Sequence, residues 1–483
     1  MSHITKDIFL NTMFCPTYGW RLRKGKLIRE FSPGDKFRME QGKIVGRIAR
    51  ELYPGGIFIH ELGQREGAAA TKKYLEDPGH RVLFEAPFIV DNCYARADIL
   101  IKNEDSWDLI EVKSSSNFKL EFIDDMAYTT LIAIKSGLTP ENIQLMILDK
   151  NYRLEMIPEK LFQTIDLTEE VFKKVLEFDQ KLSEIDTITS ASSEPEPVLK
   201  YNCKGCDQFD ACFGQGCDAH IFIIPRISQG KIEQLLAEGI TTIHDVPDTF
   251  SFSHNQKKFI ECIKCGRGNI DNTIHDRISE IQWPVYYLDF ETMMTAIPLY
   301  GDIGPYEKIP TQYSIHECDR YGNVLHHHEY IASPFSDCRR ELTEHLLQDL
   351  DKEGSVLTYS SFERTIIWAL KKMFPDLSDD LQAVLDRIVD LEKCIKCVQH
   401  PGFQGRTSIK VVLPVLSPEL SYNSLEISDG DSAMVTFALA ACGMMEAKEW
   451  ETKRMALLEY CKMDTYAMVR LHEALYRMIH MKS

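Results

Sequence analysis

The chain has 483 residues, 44% apolar and 27% charged, proportions that exclude disordered and fibrous classes. At roughly 150 residues per domain, the length fits about three domains. Lys and Arg total 55 against 73 Asp and Glu, a formal charge of −18. That excludes a uniformly basic nucleic-acid coat but not a local basic groove. There is no run of about 18 apolar residues to predict a membrane span. The N-terminal MSHITKDIFLNTMF lacks the pattern of a signal peptide. A cytoplasmic location without membrane contact is therefore expected. In that reducing compartment the 14 cysteines read as thiols or metal ligands, not disulfides.

In chain order, the first feature is a basic strip. Between Trp20 and Arg50 ten cations, Arg29 among them, oppose Glu30, Asp35 and Glu40, with Trp20, Phe31 and Phe37 interleaved. Cations for phosphates and aromatics for bases suit single-stranded nucleic acid. Strands are predicted over Arg81–Val90, Tyr94–Ile101 and Trp107–Lys113, a helix over Glu121–Ser136, and a strand over Ile143–Asp149. A helix over Glu169–Leu182 leads into Glu184–Pro197, whose Ser, Thr, Pro and acidic content reads as a linker. A cysteine cluster and short helices follow. A second α/β unit then begins with VYYLDF (Val285–Phe290), two further strands, a helix near Asp337–Leu350, the strand SVLTY and a helix from Phe362. A long helix from about Arg454 to Ile479 closes the chain.

Asp98 lies in one strand, and Glu111 and Lys113 end the next. Residues i and i+2 of a strand share a face, so Glu111 and Lys113 project together and a neighbouring strand can bring Asp98 beside them. Two carboxylates make an oxygen site for Mg²⁺ or Mn²⁺, and the lysine can stabilise charge developing on a phosphate. Glu85 lies on the strand before that of Asp98. The run FEAPF…ARADILI…DLIEVKSS resembles the RecB-like branch of the PD-(D/E)XK nucleases. That resemblance implies Asp98, Glu111 and Lys113 as the motif core, and the following helix offers Tyr128 and Thr129 near the site.

Cys203, Cys206, Cys212 and Cys217 have close metal-ligand spacing, C-x2-C-x5-C-x4-C, which suits zinc or an iron–sulfur cluster. Over roughly the first 220 residues the chain resembles RecB-like nucleases with an iron–sulfur cluster, including the CRISPR-associated exonucleases. The resemblance implies a structural [4Fe–4S] cluster held by Cys15, Cys203, Cys206 and Cys212, with Cys217 spare. The two C-I-K-C pairs, Cys262/Cys265 and Cys394/Cys397, read as half-buried helical cysteines.

Asp289 and Glu291 end an apolar strand on one face. Asp464 and Tyr460 share a helical face, and Glu363 opens a helix. Acids converging from separate elements repel one another unless cations neutralise them. Two divalent ions would do so and would clamp a phosphodiester. Asp390, in RIVDL, is a further candidate. This half resembles the DEDD exonucleases of RNase H-like fold, in the subclass with Tyr in the third motif. The resemblance implies Asp289, Glu291, Glu363, Tyr460 and Asp464 as catalytic residues. Glu363 stands where that family's second motif supplies Asp. The segments PTQYS, GRTSIKVVLP and SYNSLEISDGDSA, with the rest of the chain, resemble an uncharacterised bacterial and archaeal family that fuses these two domains.

The expected architecture is α/β: a PD-(D/E)XK restriction-endonuclease-like domain with the cysteine cluster (1–220), a small helical connector (221–280) and an RNase H-like DEDD exonuclease domain (281–483). The expected activity is metal-dependent phosphodiester hydrolysis by two sites, with Mg²⁺ or Mn²⁺ at Glu85, Asp98, Glu111, Asp289, Glu291 and Asp464. Single-stranded DNA ends are the expected substrate. The alternative is a nucleic-acid-binding scaffold with one or both sites decayed.

Overall fold

The computed structural model describes residues 2–27, 30–59, 63–214 and 219–480. The chain is mixed α/β and divides into two compact units, residues 1–198 with 294–307 and residues 199–293 with 308–483. The expected boundaries at 220 and 280 both fall inside the second unit. Residues 294–307, expected in the C-terminal domain, belong to the first. Among the described residues no helix is long and apolar enough to cross a membrane.

The first unit opens with α1 (Lys6–Phe14), α2 (Pro16–Arg23), α3 (Pro33–Glu51), β1 (Ile57–Phe58) and α4 (Gln64–Glu76). It continues through β2 (Val82–Val90), β3 (Cys93–Lys102), β4 (Trp107–Lys113), α5 (Glu121–Lys135), β5 (Pro140–Leu148), β6 (Phe162–Asp166) and α6 (Thr168–Ser190). A Ser32–Asp35 capping box and Pro33 in the first turn start α3. The six strands lie in sequence order. β2, β3 and β4 are antiparallel, and β5 returns parallel to β4 after the α5 crossover. The period-2 alternation of β4 sends Trp107 and Leu109 into the core with α5, and Ile110 into a core with Ala49 of α3. Glu111 and Lys113 therefore face the α5 side.

The segment expected as a linker is docked. α6 runs to Ser190, and the residues after it bind α2. Trp20 Nε1–H donates to the Ala191 carbonyl (2.9 Å), Thr17 Oγ1 to the Pro195 carbonyl (3.1 Å) and Arg21 Nη2 to Glu194 (2.7 Å). Composition signalled polarity correctly, but its polar groups are partners for α2. The same packing corrects the nucleic-acid strip. Trp20 and Phe37 are buried and cannot stack on bases, while Phe31 is half exposed. Among the described residues, six of the cations are in ion pairs, including Arg23 with Asp186 and Arg50 with Glu85. Arg29 lies outside the described residues.

The second unit contains α7 (Gln229–Ala237), α8 (His254–Cys265), β7 (Asn269–Ile270), α9 (Thr273–Ser279), β8 (Val285–Met293), β9 (Ile309–Arg320), β10 (Asn323–Ile331), α10 (Arg339–Asp349), β11 (Ser355–Thr358) and α11 (Phe362–Met373). α12 (Ser378–Asp386), β12 (Ile388–Asp390), α13 (Glu392–Ile395), β13 (Val398–Gln399), α14 (Ile409–Leu416), α15 (Gly430–Ala441) and α16 (Ala447–His480) follow. The region expected as a connector has its own core of Ile221, Ile224, Ile232, Leu235, Ile243 and Phe259. Its α8 starts at a Ser253–Gln256 capping box and stops at Gly266, whose φ of +64° a side chain would disfavour.

The main sheet has the order β10-β9-β8-β11-β12. β9 is antiparallel to β8 and β10, whereas β11 is parallel to β8 and β12 is parallel to β11. Tyr286, Leu288 and Phe290 pack with Val356, Ile366 and Leu370 on one face. The other face meets α16: Gln312 Nε2 donates to the Leu457 carbonyl (2.9 Å), and Ser314 and His316 both hydrogen-bond Thr465. By alternation Asp289 and Glu291 sit on this α16 face.

Candidate functional site

In the first unit the site forms where two strands part. β3 and β4 pair from Ile99↔Ile110 to Lys102↔Trp107, and their ladder stops short of Asp98 and Glu111. There the Val112 N–H donates to Asp98 Oδ2 (2.8 Å). Opposite, between the Phe84↔Ile99 and Ala86↔Ala97 pairs, Glu85 adopts φ +53°. The apolar phase of β2 slips at this residue, since Leu83 before it and Ala86 and Phe88 after it enter one core. A left-handed φ costs a residue with a Cβ about 1–2 kcal/mol, so this strain is stored beside the carboxylates.

Glu111 is 3% exposed. Its Oε1 accepts from Lys6 Nζ (3.2 Å) and Lys113 Nζ (3.0 Å), and its Oε2 is buried with no hydrogen-bond partner among the described residues. Lys113 Nζ also bonds Asp125 Oδ2 (2.5 Å). Burial, reinforced by the neighbouring Glu111 charge, pushes the Asp98 pKa up to about 8. Burial also pushes Glu111 upward, but Lys113 and Lys6 outweigh it and bring Glu111 down to about 2. At neutral pH the pair shares one proton. Glu85 is an ion-pair hub beside Asp98, its two oxygens held by Arg50 Nη1 (3.1 Å) and Arg96 Nε (3.0 Å). Tyr128 is in the core, donating to the Ile4 carbonyl (2.5 Å), and Thr129 donates to the Asp125 carbonyl (3.2 Å).

In the second unit the convergence is tighter. Asp289 and Glu291 of β8 and Asp464 of α16 bring ligand oxygens within 4.8 Å of one another. Glu363, in the first turn of α11, is 3% exposed and interacts directly with Asp289. Its Oε2 has no hydrogen-bond partner among the described residues. Tyr422 donates to Asp464 Oδ1 (2.5 Å), Tyr460 interacts with Asp464, and the Cys461 thiol points at Asp289 Oδ2 (3.7 Å). Lys410 Nζ lies 5.3 and 5.1 Å from the Tyr422 and Tyr460 ring centres. Its charge favours ionised Glu291 and Asp464.

Burial first, then repulsion from the other acids, drives Asp289 and Glu291 well above the carboxylate range. Burial also pushes Glu363 up to about 7, with Asp390 adding to the shift. Asp464 rises to about 6 through burial, against the pull of Tyr422 and Lys410. Four oxygen donors, mostly buried and under-compensated, with one oxygen unpartnered, suit a hard divalent cation. In the first unit, Asp98 beside the unpartnered Glu111 Oε2 fits the same ion.

The cysteines divide between the units. Cys15 caps α1 and α2 in the first. Cys203, Cys206 and Cys212 lie on successive turns of the second, tied by Cys206 N–H to Cys203 O (3.2 Å) and Cys212 N–H to Gln208 O (3.0 Å). Three half-buried thiols in ten residues form a soft donor set. Cys217 lies outside the described residues. Of the C-I-K-C pairs, Cys262, Cys394 and Cys397 are buried and Cys265 is exposed.

Sequence reasoning missed Lys6, Asp125, Lys410 and Tyr422. Lys6 is 105 residues from Glu111, and Tyr422 is 42 from Asp464, so no local period links them. Lys410 and Tyr422 do fall in the segments GRTSIKVVLP and SYNSLEISDGDSA, but nothing in those segments states a role.

Residues 286–408 match a family described as a domain of unknown function (DUF2779), a span holding Asp289, Glu291 and Glu363 but not Tyr460 or Asp464. The chain is 22% identical over 266 residues to the uncharacterized protein MG366 homolog of Mycoplasma pneumoniae, covering 51% of this chain and 39% of that protein. It is also 22% identical over 265 residues to the uncharacterized protein MG366 of Mycoplasma genitalium, covering 50% of this chain and 39% of that protein. The chain thus spans about two fifths of the length of these curated relatives.

Proposed function

We propose that this protein is a metal-dependent nuclease with two sites, one in each unit, acting on single-stranded DNA ends. The observation that carries the reading is the meeting of Asp289, Glu291 and Asp464 within 4.8 Å beside buried Glu363, a cluster without enough internal positive charge to ionise it. Supporting it are the two topologies. The run α-β-β-β-α-β with Asp98, Glu111 and Lys113 at parting strands suits a PD-(D/E)XK core. The order β10-β9-β8-β11-β12, with acids on the central strand and two helices, suits an RNase H-like core.

Asp289, Glu291 and Asp464 would hold Mg²⁺ or Mn²⁺ in the second unit, and Asp98 and Glu111 in the first. Such an ion lowers the pKa of bound water and offsets phosphate charge. Tyr422 holds Asp464 in one orientation, with Tyr460 beside it. Lys113 would donate to a phosphate oxygen once released from Asp125. Glu363, with a pKa near 7, can exchange a proton at neutral pH. We assign Cys203, Cys206 and Cys212 as ligands of a structural [4Fe–4S] cluster. Absorbance near 400 nm in anaerobically purified protein is the expected sign, and a colourless protein with stoichiometric zinc would contradict that assignment.

The test is cleavage of 5′- and 3′-labelled DNA and RNA, single- and double-stranded, with Mg²⁺, Mn²⁺ or EDTA. Asp98→Ala and Asp289→Ala should each remove a distinct metal-dependent product ladder. Substrate binding without cleavage in any metal would sink the nuclease reading in favour of a scaffold.

A further inference from the structure

A cavity of about 650 Å³ lies wholly within the second unit, and none of the four clustered carboxylates lines it. One wall is Pro225–Lys231 with α8 and β7, and the other is Lys396–Thr407. Two close contacts join these walls, and a third braces the first wall internally. β7 and β13 pair through Ile270↔Val398 and Asn269↔Gln399. Gln256 Nε2, from buried Gln256, donates to the Pro225 carbonyl (3.0 Å). Gly405, at φ +71°, approaches so closely that a Cβ there would lie 2.5 Å from the Ile223 carbonyl oxygen. The cavity is therefore built by packing between segments distant in sequence, as the Ile270↔Val398 and Gly405–Ile223 contacts show.

Its lining opposes the charge of the whole chain. Arg226, Lys231, Lys258, Lys396 and Arg406 face one carboxylate, Asp271. Lys258 is paired with Asp271 (3.2 Å) and Lys396 with Glu392 (2.7 Å). Arg226 and Arg406 are exposed and have no ion-pair partner among the described residues. Arg226 also holds φ +49°, a costly backbone state for a residue with a Cβ, at the cavity rim. His400 Nδ1 accepts from the Gly402 N–H (3.1 Å), which leaves Nε2–H as a donor in the neutral ring. Guanidinium forks match phosphate oxygens bidentately. Phe259 and Phe403 give an apolar floor, and Asn255, Asn269 and Gln399 supply amides that can read a base or sugar. A volume of this size suits a small ligand.

We propose that this cavity binds a nucleotide, its phosphate held between Arg226 and Arg406 and its base met by the amides of Asn255, Asn269 and Gln399. The proposal stands apart from the nuclease reading and survives if neither carboxylate site cleaves anything. The nucleotide has two sources, a free mononucleotide or the phosphorylated end of a strand.

The test is calorimetry on the full chain in EDTA at low ionic strength. Probes are adenosine 5′-monophosphate, adenosine, inorganic phosphate, and a short oligonucleotide with either a 5′-phosphate or a 5′-hydroxyl. The monophosphate should bind and adenosine should not. Arg406→Ala should weaken binding at least about 10-fold, the loss of one charge-assisted contact. Arg226→Ala, a second exposed position, should act in the same direction, with unchanged circular dichroism in both. Competition by the phosphorylated but not the hydroxyl oligonucleotide would identify a strand end as the source. Binding of the mononucleotide without such competition would identify the free form. If neither phosphorylated probe binds better than adenosine, if inorganic phosphate binds as tightly as the monophosphate, or if both arginine variants bind normally, the proposal is overturned.

Discussion

The two carboxylate clusters solve the same electrostatic problem differently. In the first unit Glu111 is neutralised from within by Lys113 and Lys6, and Glu85 by Arg50 and Arg96, leaving Asp98 to carry the proton. In the second, four acids share little more than the field of Lys410; burial raises all four pKa values, and repulsion within the cluster adds to it at Asp289 and Glu291. The first cluster is a set of ion pairs with a vacant oxygen. The second depends on protons or an external cation. Charge compensation, more than the count of acids, separates them.

That contrast can be broken most forcefully by activity. Asp289→Ala should lower the metal-dependent cleavage of its site by at least about 100-fold, since outer-shell changes at metal sites already cost about 10–100-fold. A residual ladder unchanged in Asp289→Ala but lost in Asp98→Ala would sharpen the division of labour.

A smaller effect, opposite in sign between the clusters, should appear in stability without metal. At pH 8, Asp289→Asn removes an uncompensated buried acid and should stabilise the chain by about 1–2 kcal/mol. Glu111→Gln leaves Lys6 and Lys113 to share Asp125 and should destabilise it by about 1–2 kcal/mol, less than a fully buried pair because both lysines are partly exposed. Urea unfolding in EDTA measures both, and shifts of the same sign would refute the contrast.

The pH trend follows the same logic. Asp98, Glu363 and Asp464 titrate near 8, 7 and 6 in the folded chain. The folded chain keeps protons that the unfolded chain has lost above about pH 4. Their contribution to metal-free stability should be largest near pH 4 and fall as pH rises toward 8. Glu111 acts in reverse, its contribution being lost only as pH falls from about 4 toward 2. Melting curves from pH 4 to 8, with and without Mn²⁺, read this directly. The metal should restore more stability at pH 8 than at pH 5. The smallest effect expected is at Lys410→Ala, which removes a competing positive charge and should tighten Mn²⁺ binding by roughly three-fold.

Strand alternation made much of this legible. VYYLDF and WDLIEVK each announce a strand with polar residues on one face, and β4 and β8 put Glu111 and Asp289 on the faces that alternation requires. The spacing of Tyr460 and Asp464 likewise identified the helical face that meets β8. What composition could not show was which polar groups had found partners. The Ser- and Glu-rich segment after α6 is pinned to α2, and Trp20 and Phe37 are core residues because their neighbours in space come from elsewhere in the chain. Lys6, Asp125 and Tyr422 are invisible for the same reason. They meet the sites only through tertiary packing, which carries no period along the sequence.

The most direct test is a calorimetric titration of the metal-free full chain with Mn²⁺ at pH 7–8, in two buffers of different ionisation enthalpy, comparing wild type with Asp289→Asn. The second cluster holds protons that a cation must displace, so saturable binding with proton release is expected, and both should be lost in the variant at that site. Mn²⁺ binding that releases no protons, or that is the same in Asp289→Asn, would contradict a cation site at Asp289, Glu291 and Asp464.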